Sequence, residues 1–349
     1  MTKLVLSTGN VMSSGPSVIR KSGSGNRSNL ELLNSLRDNI SEAKRDYASS
    51  SPSRAPTTKP NSAAVANGNS CSTSSQNGHG HGNGNGNGIT QHNGTSTPPT
   101  PVELWTSQED KVLYIPKINW QAAGLRDDTN QYEITVKLFL LPGTSLSDRG
   151  QYIAEALALV AKELGTPTID LLVASFPGIS FEGTCEWEAD KKNAHQGNLD
   201  DELATWTILE DLHNRGIAKR LGVAEFGSEK LSAFIERARV APAVDQINLQ
   251  DCCNVPPPLK RLAEEHGIEL NVHRDCTDIL PRGTLRELLG PGARGANVLA
   301  DEDGDEAQGC SGLRGDLVPQ WVVRYMAFVR DRGVIENKGY FAGAELVEA

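Results

Sequence analysis

The sequence has few features of membrane or disulfide-rich proteins. No stretch approaches the roughly 20 apolar residues that a membrane-spanning helix requires, and the apolar segment near the start, residues 4–6, is too short for a signal peptide. We therefore expect a cytoplasmic protein without a membrane partner. The six cysteines are scattered and no Cys-x-x-Cys pair occurs, so we expect reduced thiols rather than a disulfide scaffold or a zinc site.

Basic residues are also outnumbered. The chain has 34 Lys and Arg against 44 Asp and Glu, which gives a formal net charge of −10. Proteins that neutralise nucleic-acid phosphates need clustered Lys and Arg, and the sequence contains no basic stripe. We therefore expect no nucleic-acid partner and attribute the acidic surface to solubility.

Several catalytic and binding motifs are missing as well. Neither a Gly-x-Ser-x-Gly elbow nor a His-Glu-x-x-His pair occurs. Gly290–Gly295 (GPGARG) matches Gly-x-Gly-x-x-Gly literally, but no strand pattern precedes it and the acidic residues 301–305 follow it, so we predict a loop there. His79 and His81 have no nearby Cys or carboxylate to complete a metal site, and we expect no metal.

One long segment has the composition of a linker. Residues 48–101 are rich in Ser, Asn, Gly and Pro, as in His79–Gly88, and such tracts bury too little apolar surface to offset the entropy of ordering. We predict a disordered insertion at 48–101. Residues 1–47 would then be the N-terminal part of the domain that residues 102–349 complete, and the remaining length suits one barrel of roughly 250 residues.

Beyond the insertion, β-branched segments alternate with helical patterns. Strands are predicted at 132–141, 169–176, 218–224, 244–249 and 268–273, and helices at 151–164, 203–215, 228–238, 257–266 and 321–332. This alternation with short connections indicates a parallel sheet with right-handed crossovers. We therefore predict an α/β fold, a (β/α)8 TIM barrel, with acidic loops at 183–200 and 290–320.

Two end signals refine the predicted helices. A further helix is expected to begin near Asn29, because four apolar residues then share one helical face: Leu30, Leu33, Leu36 and Ile40. Ser228 is the predicted N-cap of the helix at 228–238, since a serine hydroxyl can accept a backbone N–H of the first turn.

Three segments resemble the aldo-keto reductase family: Ile169–Pro177 (IDLLVASFP), Trp206–Phe226 and Pro242–Asn248. The resemblance implies an aldo-keto-reductase-like barrel. It also implies a catalytic set in which a Tyr is the general acid, a Lys and an Asp tune the acidity of that Tyr, and a His orients the carbonyl.

Most of that set is absent or altered here. Lys137, within Ile134–Leu138, stands at the position that the resemblance gives to the lysine, whereas Ser175 stands where the histidine would be. A serine lacks the reach and the titration of an imidazole. Glu109 and Tyr114 have the separation of the Asp and Tyr but not their sequence context, and we interpret them as a chance match. We predict a degenerate reductase site in which Lys137 pairs with a carboxylate.

The expected cofactor segment is altered too. Reductases of this family hold the adenosine phosphate of the nicotinamide dinucleotide with a basic, Ser-rich segment late in the chain, where this sequence has Val334–Tyr340. Glu336 would repel a phosphate. We expect no cofactor, with a weak contact of NADPH through Lys338 as the alternative.

A narrower resemblance covers the middle and both ends of the chain. Gln246–Pro258, Trp321–Tyr325, Arg332–Tyr340 and Leu6–Asn10 resemble the modifier, or regulatory, subunits of glutamate–cysteine ligase. That family implies a non-catalytic barrel that forms a heterodimer with the catalytic subunit in glutathione biosynthesis, improves its use of glutamate and relieves inhibition by glutathione. The alternative is a divergent NADPH-dependent aldo-keto reductase that uses Lys137 and a tyrosine such as Tyr114.

Two groups of residues are candidates for contact with such a partner. Trp321, Arg324 and Tyr325 are of types enriched at binding hot spots, although we favour their packing as one face of a helix. Cys252 and Cys253 are interpreted as packing residues, with an intersubunit disulfide under oxidising conditions as the alternative. An oxidised complex that migrates unchanged on a non-reducing gel after both cysteines are replaced by Ser would contradict the disulfide.

Overall fold

The computed structural model describes residues 2–12, 28–49, 100–249, 254–275, 278–292, 294–300 and 312–347. Most of the predicted insertion at 48–101 lies outside these residues, as do Cys252 and Cys253, so the division into domains stays a prediction. The strands are β1 (Thr2–Ser7), β2 (Ser107–Glu109), β3 (Val112–Ile115), β4 (Tyr132–Leu140), β5 (Ile169–Ser175), β6 (Ala218–Ala224), β7 (Val244–Asn248), β8 (Glu269–His273), β9 (Asp316–Val329) and β10 (Val334–Val347). The helices are α1 (Ser28–Ser49), α2 (Val102–Trp105), α3 (Arg149–Leu164), α4 (Glu186–Asn193), α5 (Leu199–Asn214), α6 (Ser228–Ile235), α7 (Pro257–His266) and α8 (Thr284–Leu289).

Within the described residues the strands form one ten-stranded sheet in the order β2-β3-β1-β10-β9-β4-β5-β6-β7-β8. Strands β4 to β8 are parallel neighbours in chain order, with helices in each connection. The other half is mostly antiparallel, because β9 and β10 form a hairpin that joins β4 on one side and β1 on the other. The prediction of an α/β fold is confirmed.

Closure of the sheet into an eight-stranded barrel is not found among the described residues. In the hydrogen-bonded order, β2 and β8 are the two ends of the sheet and do not pair with each other. Five parallel strands follow the predicted pattern of a barrel. Next to β4, however, the long β9–β10 hairpin stands where a (β/α)8 barrel would have parallel strands.

The helix predicted at 321–332 is wrong, because residues 316–329 form strand β9. Trp321 and Tyr325 pack in the same hydrophobic cluster as α3, whereas Val322 packs in the cluster on the opposite side of the sheet. Successive side chains of a strand point to opposite faces, so these residues do not share a helical face. Gly333, predicted to follow a helix, lies in the turn between β9 and β10 with φ +65°.

The two stretches predicted as acidic loops contain regular structure. Residues 183–200 include α4 and the first residues of α5, and β9 begins at Asp316 within the stretch 290–320. The polar side chains of α4 explain the first difference. Asp190 accepts hydrogen bonds from the backbone and hydroxyl of Ser228, and Asn193 accepts one from Gly227 N. Ser228, which was predicted to be the N-cap, is instead the first residue of α6, and the N-cap is Gly227.

Two hydrophobic layers enclose the sheet. On one face, α3, α5, α6 and α7 bury an extended core that includes Trp206 and Phe234, whose rings meet edge to face at 5.1 Å. On the other face, α1 and α8 cover strands β1, β9 and β10. Helix α1 begins where predicted, but its buried stripe differs. Leu32, Leu36 and Ile40 are buried, whereas Leu30 is 38% exposed.

Candidate functional site

Lys137 lies in the middle of β4 and is buried, with 1% of its side chain exposed. Its neighbours Val136 and Leu138 face the core under α3, so Lys137 points to the other side of the sheet. In the antiparallel pairs it stands opposite Arg324 of β9, which stands opposite Tyr340 of β10. The three side chains therefore form a polar row across neighbouring strands.

Asp275, two residues after β8, binds both cations of this row. One carboxylate oxygen lies 2.9 Å from Lys137 Nζ and the other 2.5 Å from Arg324 Nη1. Burial acts to raise the pKa of Asp275, but the positive charges of Lys137, Arg324 and His273 outweigh it and lower that pKa. The carboxyl is therefore ionised at neutral pH and is the counterion of buried Lys137 and of largely buried Arg324.

The two cations respond to burial differently. Burial lowers the pKa of Lys137, and Arg324 lowers it further against the opposing attraction of Asp275. Burial acts to lower the pKa of Arg324 as well, but the attraction of Asp275 outweighs it and the pKa is raised. Loss of Asp275 would therefore leave two desolvated charges without their common partner.

A second group of acids adjoins this ion network. Glu225 follows β6 with φ +66°. One of its oxygens lies 2.7 Å from His273 Nε2, and the other accepts Phe181 N. Asp245 of β7 is fully buried, and Phe226 N donates to its Oδ1 at 3.4 Å. Within the described part of the chain no donor reaches Asp245 Oδ2.

The pKa of Asp245 is raised well above its usual range by burial, and the nearby charge of Glu225 raises it further. A carboxyl whose folded pKa exceeds its unfolded value binds its proton more tightly in the folded state. Its contribution to stability is therefore present at acid pH and is lost as the pH rises through the folded pKa. We expect Asp245→Asn to reduce the loss of stability between pH 4 and pH 7, measured by urea unfolding at each pH. A pH profile parallel to that of the wild type would contradict this assignment.

Ser175 ends β5 and is buried beside β4, where Phe139 is its register partner. Tyr114 lies on β3 and lines a cavity on the α3 side of the sheet, the side away from Lys137. A reductase would need its Asp and its Tyr beside the lysine. Glu109 and Tyr114, the sequence match to that pair, are therefore not brought together with Lys137. The nearest tyrosine in the row is Tyr340, whose hydroxyl donates to Glu31 at 3.1 Å.

Tyr340 is poorly suited to act as a general acid. Burial raises its pKa further above the usual value for a tyrosine, with Glu31 and Asp275 adding to the shift and Arg324 opposing it. Proton transfer is most efficient when the pKa lies near the working pH. The row is thus built as a buried ion network that joins β4, β9, β10 and the end of β8.

The candidate partner contacts on β9 are core residues. Trp321 and Tyr325 are each 1% exposed, and the hydroxyl of Tyr325 donates to Glu163 at 3.2 Å. Arg324 is held by Asp275, as described above. Trp321 and Tyr325 therefore pack in the core, although not on one face of a helix as predicted, and a role of the three side chains in partner contact stays a prediction. Of the cysteines, only Cys185 lies in the described part of the chain, as an exposed free thiol.

The late segment of the chain does not fit a dinucleotide phosphate. The ammonium group of Lys338 lies 2.5 Å from a carboxylate oxygen of Glu31. Glu336 adds a second carboxylate, which accepts the hydroxyl of Tyr132 and lies 3.4 Å from Arg332. The cations in this part of the described structure are already paired, so they offer no basic pocket for the 2′-phosphate of NADPH.

Sequence reasoning identified Lys137, Ser175 and Arg324 but missed four acidic or titratable groups around them. These are Asp245, Glu225, His273 and Asp275. The last three lie at or just beyond the carboxyl ends of strands that were predicted correctly, and this is where functional side chains of parallel α/β folds gather. That positional rule was the available signal.

Residues 119–286 match the model of the aldo/keto reductase family, which spans just under half of the chain. This part of the chain is therefore similar to an aldo/keto reductase domain. The matched residues contain the five parallel strands β4 to β8 and end within α8. The matched residues therefore include Lys137 and Asp275, whereas Arg324 comes from the antiparallel hairpin outside the match.

Curated relatives extend the similarity along the chain. A putative glutamate–cysteine ligase regulatory subunit of Schizosaccharomyces pombe is 27% identical over 248 residues, covering 68% of this chain and 79% of that protein. The glutamate–cysteine ligase regulatory subunit of Mus musculus is 26% identical over 219 residues, covering 63% and 68%. An NADPH-dependent alpha-keto amide reductase of Saccharomyces cerevisiae is 29% identical over 116 residues, one third of each protein (33% and 33%).

Solved structures match only part of the chain. An aldo-keto reductase of Bombyx mori in complex with NADP is 23% identical, with a TM-score of 0.29, and the match covers 40% of each chain. No helix in the described ranges has the length and hydrophobicity needed to span a membrane.

Proposed function

We propose that this chain is the regulatory subunit of a cytoplasmic glutamate–cysteine ligase. It binds the catalytic subunit, improves the use of glutamate and relieves inhibition by glutathione, and it performs neither ligation nor carbonyl reduction. The similarity to named regulatory subunits over about two thirds of the chain supports the role. The observation that supports the absence of catalysis is that Ser175 stands where the histidine would be, while Tyr340, the tyrosine in the row with Lys137, has a raised pKa.

Lys137 is the one reductase residue that the chain retains, and it lacks the partners that carbonyl reduction needs. A lysine that tunes a catalytic tyrosine must face the substrate pocket beside that tyrosine. Here the ammonium group is buried, 2.9 Å from Asp275 Oδ2, and Ser175 replaces the imidazole that would orient a carbonyl. The scaffold then acts through the surfaces that it presents to another protein.

A regulatory subunit changes the affinity of its partner for a ligand only by binding the partner's states unequally. Such coupling is reciprocal for equilibrium binding and is commonly 5- to 150-fold, on the order of 1–3 kcal/mol. If this chain tightens the binding of glutamate by some factor, glutamate must tighten the binding of this chain by the same factor.

The reciprocity gives a direct test. We expect the purified chain to form a complex with a glutamate–cysteine ligase catalytic subunit, to lower its dissociation constant for glutamate, and to weaken inhibition by glutathione. The dissociation constant of the two subunits, measured with saturating glutamate and without it, should fall by the same factor as that for glutamate. Unchanged kinetics, with no complex on a sizing column, would contradict the proposal.

The matched domain and Lys137 also favour one alternative, a divergent NADPH-dependent reductase. Lys137→Met separates the two functions. In the regulatory subunit the variant keeps its effect on the catalytic subunit, because Asp275 retains Arg324 as a partner. In a reductase it would abolish NADPH consumption measured with a panel of aldehydes. We expect no such consumption from the wild-type chain.

A further inference from the structure

A cavity of about 280 Å³ lies between helix α3 and the sheet, away from the ion network. One wall is the face of α3 formed by Tyr152, Glu155, Leu159 and Lys162. The opposite wall comes from β1 and β3, with Val5 and Val112, and the floor from Trp321 and Gly343 at the paired positions of β9 and β10. The lining is predominantly apolar and aromatic, as is usual for small-molecule sites.

Most of the charged groups at this cavity are already paired. Lys3 Nζ lies 2.5 Å from Glu155 Oε1, and the hydroxyl of Tyr152 donates to Glu345 at 2.9 Å. These contacts fix the walls of the cavity in place. They leave little free charge of either sign on that side.

Two polar groups remain without a partner among the described residues. The indole of Trp321 lines the cavity, and no hydrogen bond joins its Nε1–H to an acceptor among the described residues. An occupant with an acceptor atom can therefore accept that N–H. The ammonium group of Lys162 has no carboxylate partner and is held 4.2 Å above the ring centroid of Trp120.

The size of the cavity limits its occupant. An apolar cavity of roughly 150 Å³ accommodates benzene, so this cavity is about the size of a two-ring molecule. We propose that it binds a small, flat, two-ring molecule with one anionic group. The apolar body lies between Leu159 and the indole of Trp321, a polar atom accepts Trp321 Nε1–H, and the anionic group lies at the rim beside Lys162. This site is independent of the proposed regulatory function.

Two probe molecules test the assignment by isothermal titration calorimetry on the full chain. The probes are 2-naphthoate and the uncharged 2-naphthalenemethanol. We expect saturable binding of both at one site, with naphthoate the tighter. Replacing the cation in Lys162→Gln should weaken naphthoate about five-fold, the effect of a partly exposed ion pair, without changing the alcohol. Lys162→Arg should restore naphthoate binding, and Lys191→Gln on α4 is the matched control.

A second variant tests the location. Ala158 is exposed at the rim of the cavity, so Ala158→Trp fills the entrance without disturbing the core and should abolish binding of both probes. Ala204→Trp, at an exposed position of α5, is the control for an added surface indole. The proposal is overturned if neither probe binds at millimolar concentration, or if Ala158→Trp binds as the wild type does. Equal affinity for the two probes would overturn the anionic assignment.

Discussion

Replacing Asp275 with Asn is expected to lower the free energy of unfolding by about 3–5 kcal/mol at neutral pH, the range found when one partner of a buried ion pair is removed. Asp275 lies within 2.9 Å of Lys137 Nζ and 2.5 Å of Arg324 Nη1. The amide of Asn keeps the shape of the carboxyl but not its charge. Buried Lys137 and largely buried Arg324 would then repel each other with no counterion between them.

Urea unfolding of the wild type and the variant at pH 7 measures this difference. Asp211→Asn is the matched control, because Asp211 forms an exposed ion pair with Arg215 on α5. Its replacement should change the free energy of unfolding by less than about 0.5 kcal/mol. Equal losses in the two variants would contradict the structural role that we assign to the buried network.

The same variant should alter the dependence of stability on pH. The pKa of Asp275 is lower in the folded state than in the unfolded chain, where an Asp has a pKa of about 3.9. The folded state therefore binds fewer protons, and the stability that this group contributes is fully present above pH 4 and is lost as the pH falls below it. Asp275→Asn should therefore reduce the loss of stability that occurs as the pH falls below 4. Asp245→Asn, in contrast, should reduce the loss of stability between pH 4 and pH 7.

The parallel half of the fold was predictable because its signals are local. Strands β4 to β6 are largely apolar runs, and α3 and α7 end at Gly165 and Gly267, which adopt left-handed conformations. Such signals depend only on neighbouring residues. They place each of these elements correctly without any information on whether the sheet closes into a barrel.

Strand β9 was mistaken for a helix for a physical reason. Both of its faces are buried, Trp321 in one cluster and Val322 in the other, so apolar and polar residues do not alternate along it. Trp321, Arg324 and Tyr325 then fit helical spacing by coincidence. The β-branched pair Val322–Val323 was the better indication of a strand.

The ion network was only partly predictable. The pattern around Lys137 indicated a buried lysine that needs a carboxylate. That carboxylate is Asp275, which is distant in sequence and follows β8, separated from β4 by three strands in the sheet, so it reaches Lys137 only because the sheet curves. Asp190 and Asn193 of α4 likewise act through contacts with the segment after β6. Such pairings depend on tertiary structure and leave no periodic pattern in the sequence.

Gly343→Ala should strongly destabilise the β9–β10 hairpin, with an expected loss of about 3 kcal/mol, at the upper end of typical overpacking effects. A Cβ at this position would lie 2.3 Å from Trp321 Cε2 and 2.4 Å from Nε1. The indole is buried against the strand and cannot rotate away without leaving the core. The loss follows from this close approach and not from a special backbone conformation of Gly343.

Gly150→Ala is the matched control for this substitution. In helix α3 the added Cβ meets only Ile208 Cδ1 at 3.5 Å, an ordinary contact, and Ala favours the helix over Gly by about 0.5–1 kcal/mol. The same chemical change should therefore stabilise the protein in α3 and destabilise it in β10. Thermal and urea unfolding of both variants would measure the two signs.

A double-mutant cycle identifies the indole as the cause of the loss. In a Trp321→Leu background the atoms that would clash with Cβ of residue 343 are gone, so Gly343→Ala should cost less than about 1 kcal/mol, because contacting residues are not additive. An undiminished loss in that background would place the clash elsewhere in the hairpin. A reduced loss would confirm that Gly343 is required because the indole of Trp321 lies directly against β10, where the same indole forms the floor of the proposed two-ring site.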